Sequence, residues 1–482
     1  MTRTRAALPR AAAATGAAVL TLGLAGCQLA GADGGSGADE ADVVTIGYQS
    51  KTINTVTAGT LLRERGFFEQ ELEKVDPDLE VDWQDYDTGA PITAQMLAGK
   101  IDIGSMGDYP LLINGSRAGT GEGGSSMVAV TGYNLDGALN GVVAAADSDV
   151  ETLEDLDGGT ISASVGSAGH GTLVQALDEA GIDPDEGVSV ENQDPPVGAS
   201  SLQAGSVDAV AQFVAWPALL AFRDDARLVY DGGRLEVPTL HGTVVRDDYT
   251  AENQDVVTAF LTAQQRATEW LHDHPVEAAE IVAEETGLPV EVVYLYNGRG
   301  GVSTFDTTLK EQQVAALEQD VPFLESIGVL EDPVDVREFI DDSLVRQVWG
   351  DDYDAAARDT ANPAAITGRD RVCDRPVKEP ETAGEVWVQG EDEPRPVADP
   401  TCLLRNVAAA EEAGATVRAS YVPDAITGTR WFADRMIWVQ DGEGLLPFAT
   451  RESADEYLDR SGGAAEVSWE EARAAAQEVG TR

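Results

Sequence analysis

Three short stretches carry residue types and spacings that could hold a ligand. Gly166-Ser-Ala-Gly-His-Gly171 follows a strand-like run, Thr160 to Val165, and opens an amphipathic stretch from His170 to Ala180 that Gly181 stops. Small residues there leave backbone N–H groups unobstructed at the positive end of a helix, a ready seat for an anionic group. Ser167 can cap that helix or bind a ligand oxygen, and the two roles are compatible. Ser167 and His170 as nucleophile and base lack an oriented third member and an oxyanion arrangement, so no catalytic residue is assigned. Ser105-Met-Gly-Asp-Tyr-Pro110 ends a second strand-like run, and loops at the carboxyl ends of parallel strands are where open α/β sheets bind ligands. Asp108 is either part of such a loop or one more solvated acid among 85. Gly119-Thr-Gly-Glu-Gly-Gly124 meets the G-x-G-x-x-G spacing, but a dinucleotide fingerprint must follow a strand and open a helix. Here the strand-like Met127-Val-Ala-Val130 comes after it and Glu122 would face a pyrophosphate, so it reads as a glycine loop.

The cysteines are Cys27, Cys373 and Cys402. Arg3, Arg5 and Arg10 precede an Ala/Leu/Val-rich stretch from Ala11 to Gly26, which is a signal-peptide layout. The stretch is short for a membrane span and rich in Ala and Gly. It ends in Leu24-Ala-Gly-Cys27, which resembles the bacterial lipobox, whose cysteine becomes the lipidated N-terminus. Residues 1–26 are thus expected to be a lipoprotein signal peptide, and the small, acidic residues 27–42 a flexible tether. With Cys27 lipidated, Cys373 and Cys402 remain as an even pair in an exported chain, and a disulfide is the default reading. A Cys-based metal site lacks any CxxC spacing and any histidine beyond His274, so no metal and no cofactor are expected.

The elements that must position these residues follow from periodicity. Val43-Val-Thr-Ile-Gly47, Leu79 to Trp83, Ile101 to Gly104, Gly141 to Ala146 and Val207 to Phe213 read as strands alternating with helical stretches, which argues for α/β layers with largely parallel sheets. The pattern restarts after Leu139. Val256 to Glu285 is helical, split by Pro275. The turns of composition near Asn134–Asn140 and Leu235–His241 are hinge candidates. Around Gly350 periodicity weakens until Thr401; a strand-like Ala415 to Tyr421, an aromatic run Arg430 to Val439 and a helix from Glu452 to Arg460 follow. The chain has 482 residues, 43% of them hydrophobic, enough for about three domains with real cores. Lys plus Arg is 32 against 85 acids, a formal charge of −53. That balance argues against any phosphate-neutralising grip on nucleic acid or anionic lipid and suits a solvated outer surface.

Taken in order, Ile46-Gly-Tyr48, Gly66-Phe-Phe-Glu69, Thr88-Gly-Ala-Pro91, Ala98 to Pro110, Leu153 to Gly158, Gly166-Ser167 and Ala204 to Ala209 resemble the nitrate/sulfonate/taurine group of ABC-transporter substrate-binding proteins. The resemblance runs from about residue 43 to 330. It implies an α/β, two-lobed periplasmic-binding-protein (type II) fold that closes on a small solute and presents it to a permease and its ATPase, with no reaction catalysed. Lobe 1 would be 43–135 plus 240–345, and lobe 2 136–239. The family's binding positions carry over to Tyr48, Gln49, Gly107, Asp108, Tyr109, Ser167, Ala168, Gly169 and His170. Where family members often have Trp-Asp-Pro-Tyr, this chain has Phe213-Val-Ala-Trp216; an amine partner is absent from that wall, while Phe213 and Trp216 remain as aromatic candidates. The desulfinases related to this family use a Cys nucleophile, and residues 43–345 contain no Cys.

Residues 346–401 read as a linker or irregular subdomain and 402–482 as a small α+β module. Trp431 to Val439, Leu446 to Thr450 and Gly462-Gly463 before Val467-Ser-Trp469 resemble the nitrous-oxide-reductase accessory (NosL-like) family of copper chaperones. The Cys-x-Met element of that family is missing, and Met436 between aromatics reads as core, so the fold is carried over and the metal is not. The expected function is a lipid-anchored, extracytoplasmic binding subunit for a small oxyanion or organosulfonate. The alternatives are a heterocyclic vitamin precursor gripped by Tyr48, Tyr109 and Trp216, or copper handling through the tail.

Overall fold

The computed structural model describes residues 42–478 except Glu122. The signal peptide, the tether and Cys27 lie outside the described residues, and no helix among the described ones is long and apolar enough to cross a membrane. Two mixed sheets carry the architecture. The first holds β1 (Val43–Tyr48), β2 (Glu80–Asp85), β3 (Ile103–Gly107) and β4 (Ser125–Asn134); after an excursion the chain returns to it as β10 (Thr239–Arg246) and β11 (Thr304–Phe305), in the order β11-β4-β10-β3-β1-β2. The excursion builds the second sheet from β5 (Asn140–Ala144), β6 (Thr160–Ala163), β7 (Ser189–Asn192), β8 (Ala209–Phe213) and β9 (Arg227–Asp231), in the order β7-β6-β8-β5-β9.

Each sheet has a parallel half, β3-β1-β2 or β8-β6-β7, joined by crossover helices, and the strand by which the chain enters from the other lobe, β10 or β5, runs against it. Helices on both faces bury the strands. β3, β5 and β8 are buried at every position, and most of their residues are small or β-branched. The chain crosses between the lobes twice, at 135–139 and 232–238. After β10, Pro275 starts a new helix after Gln254–Asp273, as its missing N–H and fixed φ favour at a first-turn position.

The tail differs from expectation. The residues read as a linker are built into two structures. Ser343–Trp349 and Tyr353 pack into the core of the first lobe. Gly384–Val388 and Arg395–Val397 then pair with Val417–Pro423 and Arg430–Phe432 in a four-stranded sheet, so the C-terminal module begins well before residue 402. All five residues of Gly384–Val388 are buried, and a strand covered on both faces shows no alternation to read. The module also touches both halves of the molecule. Tyr421 Oη donates to Glu291 O at 3.0 Å on the helix Val290–Asn297, while Thr427 Oγ1 donates to Asp231 Oδ2 at 2.7 Å at the end of β9. Arg234, in the crossing after β9, pairs with Glu452 and Glu456 at 3.1 and 3.0 Å.

Cys373 and Cys402 are joined by a disulfide across a sequence separation of 29. Loop closure of that length removes about 3–4 kcal/mol of denatured-state entropy. Reduction, or Cys373→Ser, is therefore expected to lower the unfolding midpoint of the module, read by urea titration with and without dithiothreitol. An unchanged midpoint would count against a stabilising bond.

Candidate functional site

A cleft of about 210 Å³ lies between the lobes, over the carboxyl ends of the parallel strands. The first lobe contributes Gln49, Thr88, Gly89, Ala90, Gly107, Pro110 and His241; the second contributes Ser164 to Ala168, Asn192, Asp194 and Phe213. Four helix starts converge on it. Thr88 caps Gly89–Leu97, Gly107 caps Asp108–Ala118, Ser167 caps Ala168–Glu179 and Asp194 caps Pro195–Gln203. The first three present first-turn N–H groups without an intrahelical acceptor, while in the fourth Pro195 and Pro196 have no N–H and Val197 and Gly198 donate to Asp194 O, so it adds its dipole alone. Sequence dictates the close approach: a side chain at Gly89 would meet Pro110 Cβ at 2.7 Å. Ser167 Oγ accepts from His170 N at 3.3 Å, which leaves its own hydroxyl hydrogen to donate.

Among the described residues, no Lys or Arg lines the cleft. His241 is buried, and desolvation depresses its pKa to about 3, so it stays neutral. Its Nδ1 accepts from Asn54 Nδ2 at 2.7 Å, which puts the proton on Nε2 beside Gly107. Gln49 donates to Ser105 O at 3.1 Å, fixing its amide at the cleft floor. Phe213 closes one wall. The arrangement therefore offers neutral, preorganised donors, and its one acid, Asp194, is exposed. It can hold an anionic group against an apolar wall; it shows no nucleophile with a base beside it.

Of the residues expected from sequence, Gln49, Gly107, Ser167, Ala168 and Phe213 line the cleft. The other six lie behind it. Tyr48 is buried against Trp83, and its hydroxyl accepts from Arg63 at 2.8 Å. Asp108 turns away to accept from Leu240 N at 3.2 Å and Tyr109 N at 2.8 Å. Tyr109 crosses between lobes, its hydroxyl accepting from Gln175 Nε2 at 3.4 Å. Gly169 sits against the β8 backbone, where a Cβ would meet Gln212 C at 2.8 Å. His170 is buried one turn into its helix with Nδ1 unpartnered, and burial lowers its pKa. Trp216 opens the helix Trp216–Asp224 and packs in the core. Thr88, Gly89, Asn192, Asp194 and His241 were not anticipated as ligand residues; the Thr88-Gly-Ala-Pro helix start was the one signal available for the first two.

In the tail, Asp370, Cys373 and Cys402 are the one close group of potential metal ligands among the described residues. The sulfurs are bonded to each other, and the Asp370 carboxylate accepts from Val372 N, Cys373 N, Ala398 N and Asn406 Nδ2. That donor set is fully used by the fold. Met436 is buried in the core, as its aromatic neighbours implied.

Residues 54–278 match the family model described as NMT1/THI5 like. The chain is 25% identical over 326 residues to a Bacillus subtilis (strain 168) protein named for binding aliphatic sulfonates, covering 67% of this chain and 92% of that one. It is 31% identical over 193 residues to the taurine-binding periplasmic protein of Escherichia coli (strain K12), covering 38% of this chain and 57% of that one. Among solved structures, the alkanesulfonate-binding protein SsuA from Xanthomonas axonopodis pv. citri, bound to MOPS, superposes with a TM-score of 0.54 at 21% identity, over 63% of this chain and 99% of that one. Residues 54–278 are thus similar to the NMT1/THI5 like family, and the chain shares the two-lobed fold of the periplasmic binding proteins.

Proposed function

We propose that this chain is the solute-binding subunit of an ABC importer, capturing an organosulfonate or similar small oxyanion between its lobes and passing it to a membrane permease. The observation that carries the reading is the convergence of four helix N-termini, three of them with free N–H groups, on one cleft that no Lys or Arg lines among the described residues. Such a site stabilises an anion through backbone dipoles and needs no countercharge. The names of the relatives, which bind aliphatic sulfonates and taurine, support the same class and an extracytoplasmic location. Lipid anchoring through Cys27 rests on the sequence motif. The same architecture binds and releases its solute unchanged, and the ligand shifts the lobes only by preferring the closed state.

The test is calorimetric titration with ethanesulfonate, taurine and nitrate, with small-angle scattering as the readout of closure. At least one sulfonate is expected to bind and compact the protein. Ser167→Asp places a carboxylate at the anion seat and is expected to weaken binding about a hundredfold, ~2.7 kcal/mol. Absence of binding by all three anions would overturn the anion reading.

A further inference from the structure

Immediately behind the cleft, and separated from it by the first turn of the Ala168–Glu179 helix, two carboxylates share a closed space. Asp108 is 1% exposed and Asp320, on the helix Glu311–Ser326, is 5% exposed. Both line a cavity of about 10 Å³, which also has a wall from the second lobe and both interlobe crossings: Thr172 and Gln175 on one side, Gly137 and Pro238 on the other. Space of that size admits about one water. Asp108 has its two backbone donors, but Asp320 has no hydrogen-bond partner among the described residues. Among the described residues no cation lines the cavity, and the remaining ionisable group there, Tyr109, would only add negative charge. The neighbouring His241 on β10 is neutral. Two like charges in a desolvated pocket cannot both be ionised at ordinary cost; one proton relieves both the repulsion and the burial.

We infer that the Asp108–Asp320 pair is a proton-binding site coupled to anion capture, taking up a proton as the lobes close over the solute. The coupling has two physical sources. The second lobe forms part of the wall that keeps the pair from water, so closure is what desolvates it. The pair also stands beside the same helix starts that hold the anion: Gly107 and Ala168 line the cleft, while Asp108 and Ala168 line the cavity. A charge left on the pair opposes a second negative charge a residue away, and a proton removes that opposition.

The direction of the pH dependence follows. Burial raises Asp108 from 3.8 to about 6, and burial together with the Asp108 charge raises Asp320 well above its ordinary value. A carboxyl whose pKa is higher in the closed form than in the solvated open form favours closure when protonated. The gain is complete below the ordinary carboxylate range and is lost as pH rises through about 6. Affinity for an anion should therefore fall about tenfold from pH 5 to pH 7.

The inference rests on the anion reading above, and the experiment separates the two. Ethanesulfonate is titrated calorimetrically from pH 4.5 to 8 in buffers of different ionisation enthalpy, with Asp carboxyl carbons followed by ¹³C NMR in the same protein. Expected are net proton uptake on binding near pH 6, the tenfold fall in affinity, and a carboxyl titration displaced upward. Asp320→Asn should bind at pH 7 as tightly as the parent does at pH 5 and lose most of the pH dependence; Asp320→Leu should show the same loss. A pH-independent affinity without proton uptake overturns the coupling. Two carboxyls titrating in the ordinary range overturn the proton site itself. Failure of every anion to bind, with the displaced titration intact, overturns the anion reading and with it the coupling, and leaves the proton site standing.

Discussion

Gly171→Ala is expected to weaken ligand binding by about ten- to a hundredfold while leaving thermal stability unchanged or slightly raised. Gly171 lies in the second-lobe helix Ala168–Glu179, and a Cβ there would overlap Cε2, Cζ and the hydroxyl of Tyr109 from the first lobe. Tyr109 cannot yield easily: it is 4% exposed, its ring is tilted against Phe323 at 6.3 Å, and its hydroxyl accepts from Gln175. Overpacking of this kind costs about 1–3 kcal/mol, and here the cost falls only on the form in which the lobes meet. Within the helix itself, alanine is about 1 kcal/mol better than glycine, so the lobe that carries the change gains rather than loses. Calorimetry should show the weaker binding and scattering a smaller compaction at saturation. Tyr109→Leu in the Gly171→Ala background removes the overlap and should restore most of the affinity. Parental affinity in Gly171→Ala alone would sink the argument, as would a fall in stability that matched the loss of binding.

How much of this was legible beforehand depends on whether the deciding interaction is local. The strand from Val43 and the strand from Thr160 were readable because β-branched runs bounded by turn residues mark strands without help from the rest of the chain. The helix break at Pro275 and the Ser167 cap were readable for the same reason. Asp108 was not. An acid at the end of a strand looks like a ligand group, but what decides its direction is the N–H of Leu240, 132 residues away. His241 shows the converse. A histidine in a strand carries no sign of facing a cleft until β10 is placed between β3 and β4. Trp216 was expected at an aromatic wall, yet the helix it begins turns it into the core, and Phe213 alone remains at the cleft. The tail departs from expectation for a related reason: its strand Gly384–Val388 is covered on both faces, and the faces that cover it come from other parts of the chain.

The second large effect comes from a buried ion pair in that sheet: Arg430→Ala is expected to destabilise the protein by about 3–5 kcal/mol. Arg430 is 4% exposed and Glu385 fully buried; Nη2 of the arginine donates to Glu385 Oε2 at 2.6 Å, and Nη1 donates to the carbonyl of Arg299. The guanidinium also lies over the Tyr421 ring, 4.7 Å from its centroid. Tyr294 donates to Glu385 Oε1 at 3.3 Å, and Arg299 stands 4.0 Å from the same oxygen. Arg430 thus joins the four-stranded sheet of the module to the loop after the helix Val290–Asn297, and without it Glu385 keeps one neutral donor and a distant cation. A lone buried carboxylate is far costlier than the pair it came from. The pH dependence has a definite sign. Burial already raises the pKa of Glu385 even with Arg430 present, and removing the lowering influence of Arg430 raises it further. A carboxyl whose folded pKa lies above its unfolded value of 4.5 is relieved by protonation, so the deficit of Arg430→Ala should be smallest near pH 5 and grow as pH rises through the folded pKa. Urea unfolding of parent and variant at pH 5 and pH 8 measures both quantities. The double variant Arg430→Met, Glu385→Gln removes both charges and should recover much of the loss. A deficit below about 1 kcal/mol at pH 8, or one that shrinks as pH rises, would show that the pair does not hold the module in place.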